Sequence, residues 1–275
     1  MVLSLGISPC PNDTFVFNAW AHGLVAGPPV EVTFADIDVC NTLAVQGRLD
    51  VAKVSFAALP ELLADYRLLP AGGALGRGCG PLVLTREAGA GGGTTTLAGA
   101  TIAVPGERTT AYLLLRLWGA GLGLRVTVLP FEQIMPAVAR GEVDAGLVIH
   151  ESRFTYPTYG LHCLTDLGAW WEGETGLPIP LGAIVARRSL DPAPLLAAVQ
   201  ASVAHAWADP SASAGWVAEH SQEMDPAVCQ AHIDLYVNSF TAELGDEGYA
   251  AVEELLGRAA AAGLLPPLAS GALRS

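Results

Sequence analysis

Short apolar segments alternate with longer mixed segments along the first part of the chain. Residues 3–7 alternate apolar and small side chains, which predicts a strand, and a loop with two prolines leads from it into a helix that ends near Gly23. Further strands are predicted at residues 30–34 and 51–55, and helices at residues 41–46 and 56–66. This alternation predicts a mainly parallel sheet flanked by helices.

The same order of elements starts again near residue 100. The segment SLGISPCPNDTF (residues 4–15) is similar to TIAVPGERTTAY (residues 101–112) in its apolar alternation, its proline-containing loop and its final aromatic residue. Downstream, GRLD leads into VAKVSF and GEVD leads into AGLVIH, with a similar offset. The repeat predicts two similar α/β lobes with a ligand cleft between them.

The lobes are predicted to be connected by strands at residues 81–86 and 177–187. A Gly-rich surface stretch, Gly89 to Thr96, is the predicted end of the first lobe. We therefore assign residues 1–98 and 187–275 to lobe 1 and residues 99–186 to lobe 2. After Asp191 the pattern is helical, with helices predicted at residues 192–207, 212–220, 226–240 and 247–262.

Composition limits the kinds of partner. The chain has 27 acidic and 14 basic residues and no basic run, which disfavours binding to nucleic acid or to an anionic membrane surface, but not to a small anion. Its five cysteines show no CxxC spacing, so neither a disulfide framework nor a thiolate zinc site is predicted. The first residues are typical of a strand and not of a signal peptide, and no apolar run is long enough for a membrane span, so we expect a cytoplasmic protein.

His150 is the candidate for proton transfer. The sequence has no GxSxG, GxxxxGK[ST], strand-following GxGxxG or HExxH motif, which disfavours the common hydrolases, nucleotide enzymes and metalloproteases. The repeat matches Ser55 with Ile149 at strand ends, and ligands of open α/β sheets bind outside such ends. His150 follows directly, with an unperturbed pKa of about 6.5, although a structural role is the alternative. The other five histidines are predicted to be surface or packing residues.

Two loops that precede helices are candidates for binding an anion. Residues 8–13 and 106–110 would direct backbone N–H groups towards the cleft, and helix N-termini bind carboxylates or phosphates. The alternative is that Asn12, Asp13, Thr109 and Thr110 only cap their helices.

Lys53 is the only lysine of the chain and shares a strand face with Ser55. A Schiff base is conceivable, but an ion pair or an anion contact is favoured. For Cys10, in the first loop, packing is favoured over a reactive thiol.

Several long motifs resemble those of one known family, the 1,4-dihydroxy-6-naphthoate synthases of the futalosine route to menaquinone. The resemblance extends from residue 3 to about residue 260. The motifs are SPCPNDTF from Ser8, KVS from Lys53, GALGRGCGPLV from Gly73, VPGERTTAYLLL from Val104, GLVIHESRFTYPTYGL from Gly146 and DLGAWWEGETGLPIPLG from Asp166.

The resemblance implies the two-lobed, type II periplasmic-binding-protein-like fold in a cytoplasmic carbon–carbon lyase. It implies that the enzyme acts without a cofactor on a small carboxylate, cyclic de-hypoxanthine futalosine, and releases a sugar-derived fragment. His150 is then the general base. The resemblance places substrate contacts at Lys53, Val54, Ser55, Thr110 and Ala111. The full set of predicted substrate-binding residues also includes Ser8, Asn12, Asn41 and Thr109.

Two alternatives share this architecture. A solute-binding protein would only capture its ligand, because the fold does not determine the function. Chorismate dehydratase is the related enzyme of the same pathway. The SPCPND and IHESRFTY segments favour the naphthoate synthase. The sequence leaves the oligomeric state open.

Overall fold

The computed structural model describes residues 1–88, 97–221 and 225–275, and the strands of these residues form two five-stranded sheets. The first sheet contains β1 (Leu3–Ile7), β2 (Val30–Phe34), β3 (Val51–Ser55), β4 (Tyr66–Gly76) and β10 (Ile179–Arg187). The second contains β5 (Leu82–Thr85), β6 (Thr101–Val104), β7 (Arg125–Val128), β8 (Ala145–Val148) and β9 (His162–Asp166).

Helices cover both sheets. They are α1 (Pro11–Ala21), α2 (Ile37–Val45), α3 (Leu59–Leu62), α4 (Thr110–Trp118), α5 (Phe131–Arg140), α6 (Ser152–Thr155), α7 (Leu167–Thr175), α8 (Pro192–Ala208), α9 (Ala214–His220), α10 (Pro226–Tyr236), α11 (Ser239–Ala242) and α12 (Gly245–Ala261). None of these helices is long and apolar enough to cross a membrane.

The two sheets have the same topology. Their strand orders are β2-β1-β3-β10-β4 and β7-β6-β8-β5-β9. In each, the strand in fourth place is antiparallel to both neighbours, so the other four strands run in one direction. The predicted α/β architecture with two similar, mainly parallel sheets is confirmed.

Strand register explains why the repeat identifies equivalent residues. Gly6 of β1 lies beside Ala52 of β3, and Ala103 of β6 lies beside Gly146 of β8. Ser55 lies three residues after Ala52 in β3, and Ile149 lies three residues after Gly146 of β8. The two strand ends that the sequence comparison matched are therefore equivalent in the fold.

The sheet membership of two strands differs from the predicted lobe boundaries. β5 belongs to the second sheet although it precedes residue 99, and β10 belongs to the first sheet although most of it precedes residue 187. The chain thus crosses between the sheets just before β5 and after α7. The Gly-rich stretch from Gly89 to Thr96 was placed at the boundary by composition, and it lies outside the described residues. β5 and β10 are assigned to their sheets by strand pairing, which the composition of the sequence does not reveal.

The segment after β3 also differs from the prediction. The predicted helix at residues 56–66 is limited to a short 3-10 turn and the four residues of α3, and Tyr66 already starts the long strand β4. This strand contains Pro70 and Gly72, which has a φ of +77°. Such residues are rare within strands, and the register between β4 and β10 shifts near them. The strand β9 and the helix α7 were not predicted.

Packing against α8 fixes the position of α1 and thereby the first loop. Phe15, Phe17 and Trp20 of α1 are buried in a cluster with Val199 of α8. Ser202 of α8 donates to the carbonyl oxygen of Val16 at 2.6 Å and accepts from the Trp20 backbone N–H at 3.1 Å. The N-terminus of α1 is therefore held rigidly at the carboxyl end of β1.

Candidate active site

A cavity lies between the two sheets, at the carboxyl ends of β1, β3 and β8 and at the N-termini of α1 and α4. Its lining comes from both sheets and from α10: Ser8, Asn12, Asp13, Ile37, Lys53, Ser55, Ala74, Cys79, Pro81, Thr109, Thr110, Ala111, Ile149, His150, Leu181, Gly182 and Tyr236. Eight of the ten predicted site residues are among them. The internal repeat thus identifies both sides of one cavity.

Val54 and Asn41 are the two predicted residues that do not line the cavity. The Val54 side chain is fully buried in the hydrophobic core, because successive side chains of a strand point to opposite faces and its neighbours Lys53 and Ser55 face the cavity. Asn41 is also fully buried, and its side chain donates a hydrogen bond to the Ser55 hydroxyl. Its contact with the cavity is therefore indirect.

The N-terminus of α4 is open to a ligand. Thr109 caps this helix by accepting a hydrogen bond from the Tyr112 backbone N–H at 3.1 Å. The backbone N–H groups of Thr110 and Ala111 make no hydrogen bond to any other described residue, as expected for the first turn of a helix. Two free N–H donors and the positive end of the helix dipole suit a carboxylate.

The hydroxyl group of Thr110 is engaged within the protein. It donates to the Leu181 carbonyl oxygen at 2.7 Å and accepts from the Ala57 backbone N–H at 3.2 Å. The hydroxyl therefore connects α4 with the first sheet and has no proton left for an anion. The backbone of Thr110, and not its side chain, is the group suited to a ligand.

The loop at residues 8–13 lacks the side-chain helix cap that Thr109 provides in the loop at residues 106–110. Helix α1 begins at Pro11, with Cys10 in the N-cap position and no side-chain cap. Asn12 and Asp13 lie inside the helix, buried and directed towards the cavity. Asn12 and Asp13 therefore do not cap their helix. Thr109 does cap α4, but it also lines the cavity, so its contact with a ligand stays a prediction.

Lys53 forms a buried ion pair with Asp13. Its Nζ lies 2.7 Å from Asp13 Oδ1, both side chains are almost completely inaccessible, and it also donates to the Gly72 carbonyl oxygen at 3.3 Å. Asp13 additionally accepts from Asn12 Nδ2 at 3.0 Å and from the Ser8 hydroxyl at 2.7 Å. These contacts favour an ion pair over a Schiff-base lysine. They also leave Asp13 fully engaged, which argues against its use as a base.

His150 has the unusual backbone conformation of the site. Its φ is +54°, and it is the only non-glycine residue with positive φ in the described ranges. Its ring meets the edge of Phe131 at a centroid distance of 5.3 Å. Such conformations cost energy and cluster at functional sites. Burial lowers the pKa of His150 to about 4, with the charge of Asp13 acting in the opposite direction and that of Lys53 in the same direction. The imidazole is therefore neutral at pH 7 and able to accept a proton.

His232 of α10 is a site residue that the sequence did not reveal. It is completely buried, its ring is roughly parallel to that of His150 with centroids 6.2 Å apart, and it stacks on Tyr236 at 4.4 Å. Its Nε2 lies 3.0 Å from Asn12 Oδ1. Burial holds the pKa of His232 well below its usual range. Since α10 is remote in sequence from the repeat, no spacing signal indicates this contact.

One group of side chains has donors close enough for a metal ion. Ligand atoms of Cys10, His150 and Glu151 lie within 4.8 Å of one another, and Cys10 Sγ is 3.3 Å from His150 Nδ1. A metal would need the Cys10 thiolate, but burial and then the charge of Glu151 raise the pKa of this thiol well above its usual value. The donor set is therefore poorly suited to a resident metal.

Comparisons with known proteins agree with this arrangement. A family model described as menaquinone biosynthesis matches residues 3–261. The chain is 62% identical to a Streptomyces coelicolor protein named 1,4-dihydroxy-6-naphthoate synthase, with 98% of this chain and 97% of the relative covered. A Thermus thermophilus protein of the same name is 49% identical, with 96% of each chain covered.

Solved structures show the same architecture. A crystal structure of an Archaeoglobus fulgidus protein has a TM-score of 0.89 and 35% identity, covering 96% of this chain and 98% of the other. The aliphatic sulphonate binding protein of Escherichia coli, 16% identical over 99% of this chain and 90% of its own, has a TM-score of 0.68, which shows the periplasmic-binding-protein fold alone. The chain therefore belongs to the menaquinone-biosynthesis family that includes the enzymes named 1,4-dihydroxy-6-naphthoate synthase.

Proposed function

We propose that the protein is a cytoplasmic carbon–carbon lyase that converts cyclic de-hypoxanthine futalosine to 1,4-dihydroxy-6-naphthoate, with His150 as the general base. The observation that carries this proposal is the pairing, across one cavity, of a neutral histidine with an open helix N-terminus. The first is suited to accept a proton and the second to hold a carboxylate. The names of the two curated relatives support the same reaction.

The substrate carboxylate is proposed to bind at the N-terminus of α4. The N–H groups of Thr110 and Ala111 and the Ser55 hydroxyl belong to residues that line the same cavity, and among the described residues the Ser55 hydroxyl donates to no acceptor. Lys53 adds positive charge that Asp13 balances. An acidic chain can therefore bind an anion without a cluster of basic side chains.

The proposed reaction needs a single proton acceptor near the bond that breaks. Removal of a proton by His150 leaves an electron pair on the substrate. As this pair forms a new π bond, the carbon–carbon bond to the sugar-derived fragment breaks, and the fragment that keeps the electrons of the broken bond takes the proton back from His150. The ring system that remains becomes an aromatic naphthalene, which provides the driving force. A positioned general base contributes about 10²–10⁴-fold, and orientation in a closed cavity adds to it.

The direct test is incubation of the purified protein with the cyclic substrate, followed by chromatography of the products. Formation of the dihydroxynaphthoate in step with loss of the substrate is expected. If the wild-type protein leaves the cyclic substrate unchanged, while binding it, the lyase assignment is wrong.

A further inference from the structure

Tyr236, the last residue of α10, lines the cavity and has a hydroxyl group that the fold does not use. The residue is only 7% exposed, yet its hydroxyl makes no hydrogen bond to another described residue. Its oxygen is also not among the polar side-chain atoms of the described residues that are enclosed without a hydrogen bond, so a ligand in the cavity can reach it. Buried tyrosine hydroxyls usually have a partner. An unused one at a cavity wall indicates that the ligand supplies the partner.

The ring of Tyr236 is held in place by His232, which lies one turn earlier in α10. The two rings stack with their centroids 4.4 Å apart. His232 is itself fixed, because its Nε2 lies 3.0 Å from Asn12 Oδ1 at the start of α1. The His232 ring is also roughly parallel to that of His150, with centroids 6.2 Å apart. Tyr236 and the proposed base are therefore both adjacent to one buried ring, and the phenol is oriented before a ligand arrives.

The chemistry of this hydroxyl is that of a neutral donor. Burial raises the pKa of Tyr236 well above its usual value, so the phenol keeps its proton at pH 7 and does not serve as a base. A neutral O–H donor in a cavity that excludes water is suited to an oxygen on which negative charge develops. The substrate carboxylate already has the N-terminus of α4 as its proposed site. The partner of Tyr236 is therefore a different oxygen of the substrate.

We propose that Tyr236 is a further catalytic residue, whose hydroxyl donates a hydrogen bond to one of the two substrate oxygens that become the ring hydroxyls of the product. The proposal rests on the proposed function for its catalytic meaning. While His150 holds the substrate proton, the substrate carries an extra electron pair, and an oxygen conjugated with that carbon takes up part of the charge. A donor at this oxygen stabilises the transition state more than the ground state. Tyr236 stays protonated throughout, so no proton enters or leaves the substrate through it.

Tyr236→Phe tests the donor by kinetics, because it removes the hydroxyl and retains the ring that stacks on His232. Loss of one donor to a developing oxyanion costs about 10²–10³-fold in kcat. We expect a fall of this size in kcat, a much smaller change in KM, and an acid limb of kcat/KM at the wild-type pH, since His150 is unchanged. Tyr249→Phe removes the hydroxyl of another buried tyrosine, which does not line the cavity, and should keep wild-type kcat. Wild-type kcat in Tyr236→Phe overturns the proposal.

Ligand binding provides a second readout that needs no turnover. Kd is measured under argon for 1,4-dihydroxy-6-naphthoate and for 2-naphthoate, which has the same rings and carboxylate but no hydroxyl groups. Tyr236→Phe should weaken binding of the first by about 2- to 10-fold, the usual effect of one neutral hydrogen bond, and leave the second unchanged. Equal weakening of both ligands would indicate a packing effect, and no weakening of either would exclude the contact; both results overturn the proposal. Absence of turnover in the wild type would instead refute the proposed function, and the two Kd values would still decide whether Tyr236 binds a ring oxygen.

Discussion

Asn41 holds Ser55 by two hydrogen bonds: Nδ2 donates to Ser55 Oγ at 3.0 Å, and Oδ1 accepts from the Ser55 backbone N–H at 2.8 Å. The first bond occupies a lone pair of the hydroxyl group and leaves its proton for the cavity. Because Asn41 is fully buried, it fixes the direction of this donor before a ligand arrives.

Ser55→Ala should therefore weaken binding more than it slows the reaction. A hydrogen bond to a charged group is worth roughly 1.5–3 kcal/mol, which corresponds to about a 10- to 150-fold increase in Kd for the product. Titration of the dihydroxynaphthoate into the variant measures this, together with KM for the cyclic substrate. Thr110→Ser, which preserves the hydroxyl between the two sheets, serves as the control and should change little. Unaltered KM and Kd in Ser55→Ala would place the carboxylate elsewhere, with the loop at residues 8–13 as the next candidate.

Replacement of His150 tests the base directly. His150→Ala should lower kcat at least about 10²-fold, because the imidazole is assigned to proton transfer, and product binding should largely persist. Both quantities are measured on one preparation, with circular dichroism to verify the fold. His22→Ala, in which a histidine near the end of α1 is removed, is the matched control and should behave as the wild type. A His150→Ala protein that retained more than a tenth of wild-type kcat would rule out this base.

The acid limb of the pH profile should lie at a lower pH than the pKa of an ordinary histidine would give. A histidine with the unperturbed pKa of about 6.5 would lose activity near that pH. Since burial lowers the pKa of His150 to about 4, the base stays unprotonated down to about pH 5, and kcat/KM, which reports the free enzyme, should fall only near pH 4. The bound carboxylate should raise this pKa, so kcat should fall at a higher pH than kcat/KM. A limb of kcat/KM centred at pH 6.5 would contradict the lowered pKa of His150.

Stability must be controlled in that experiment. A histidine with a lowered pKa in the folded state binds fewer protons there than in the unfolded chain between pH 6.5 and 4, so stability is lost as the pH falls through this window. Assays at pH 7 after exposure to each pH distinguish reversible titration from unfolding.

The pair of Lys53 and Asp13 should be important for stability. Asp13→Asn leaves a buried ammonium group without its counter-charge, a change that typically costs about 3–5 kcal/mol. The double variant Asp13→Asn/Lys53→Met removes both charges and should recover more than half of this loss, as measured by urea unfolding. Asp246→Asn breaks an exposed pair with Arg274 and should have little effect. If Asp13→Asn and Asp246→Asn unfolded at the same urea concentration, the pair would be structurally unimportant.

The sequence predicts most of the fold because its signals are local or repeated. Alternation and loop residues predict β2 and β3 with the bounds found, and the repeat predicts two sheets of one topology. The exchange of β5 and β10 between sheets was not predictable in this way, because it depends on pairing between distant segments. Likewise, β4 was not predicted because it contains glycine and proline. Its irregular register is seen only in its pairing with β10.

The candidate site likewise contains residues that local or repeated signals predict and residues that only the fold brings together. His150, Ser55 and Thr109 were predicted from equivalent positions in the repeat, and the cavity unites them. His232 was assigned to the surface or to packing because no spacing connects α10 with the cavity, whereas the fold buries its ring beside His150. Asp13 was predicted as part of an anion-binding loop or as a helix cap, and not as the partner of Lys53, because this ion pair spans 40 residues of sequence.

The last prediction distinguishes the proposed enzyme from its two rivals by product. The fold is shared with binding proteins, so architecture does not decide among them. We expect the cyclic futalosine derivative to be converted to a dihydroxynaphthoate in buffer containing EDTA and no nucleotide, because the proton acceptor and the anion site both come from the chain. Chorismate, offered in parallel at the same concentration, should be recovered unchanged, and His150→Ala provides the inactive control. Loss of water from chorismate with the cyclic substrate untouched would assign the protein as the dehydratase. Tight binding of either compound without any product would indicate a solute-binding protein, since a base positioned beside a bound substrate should lead to turnover.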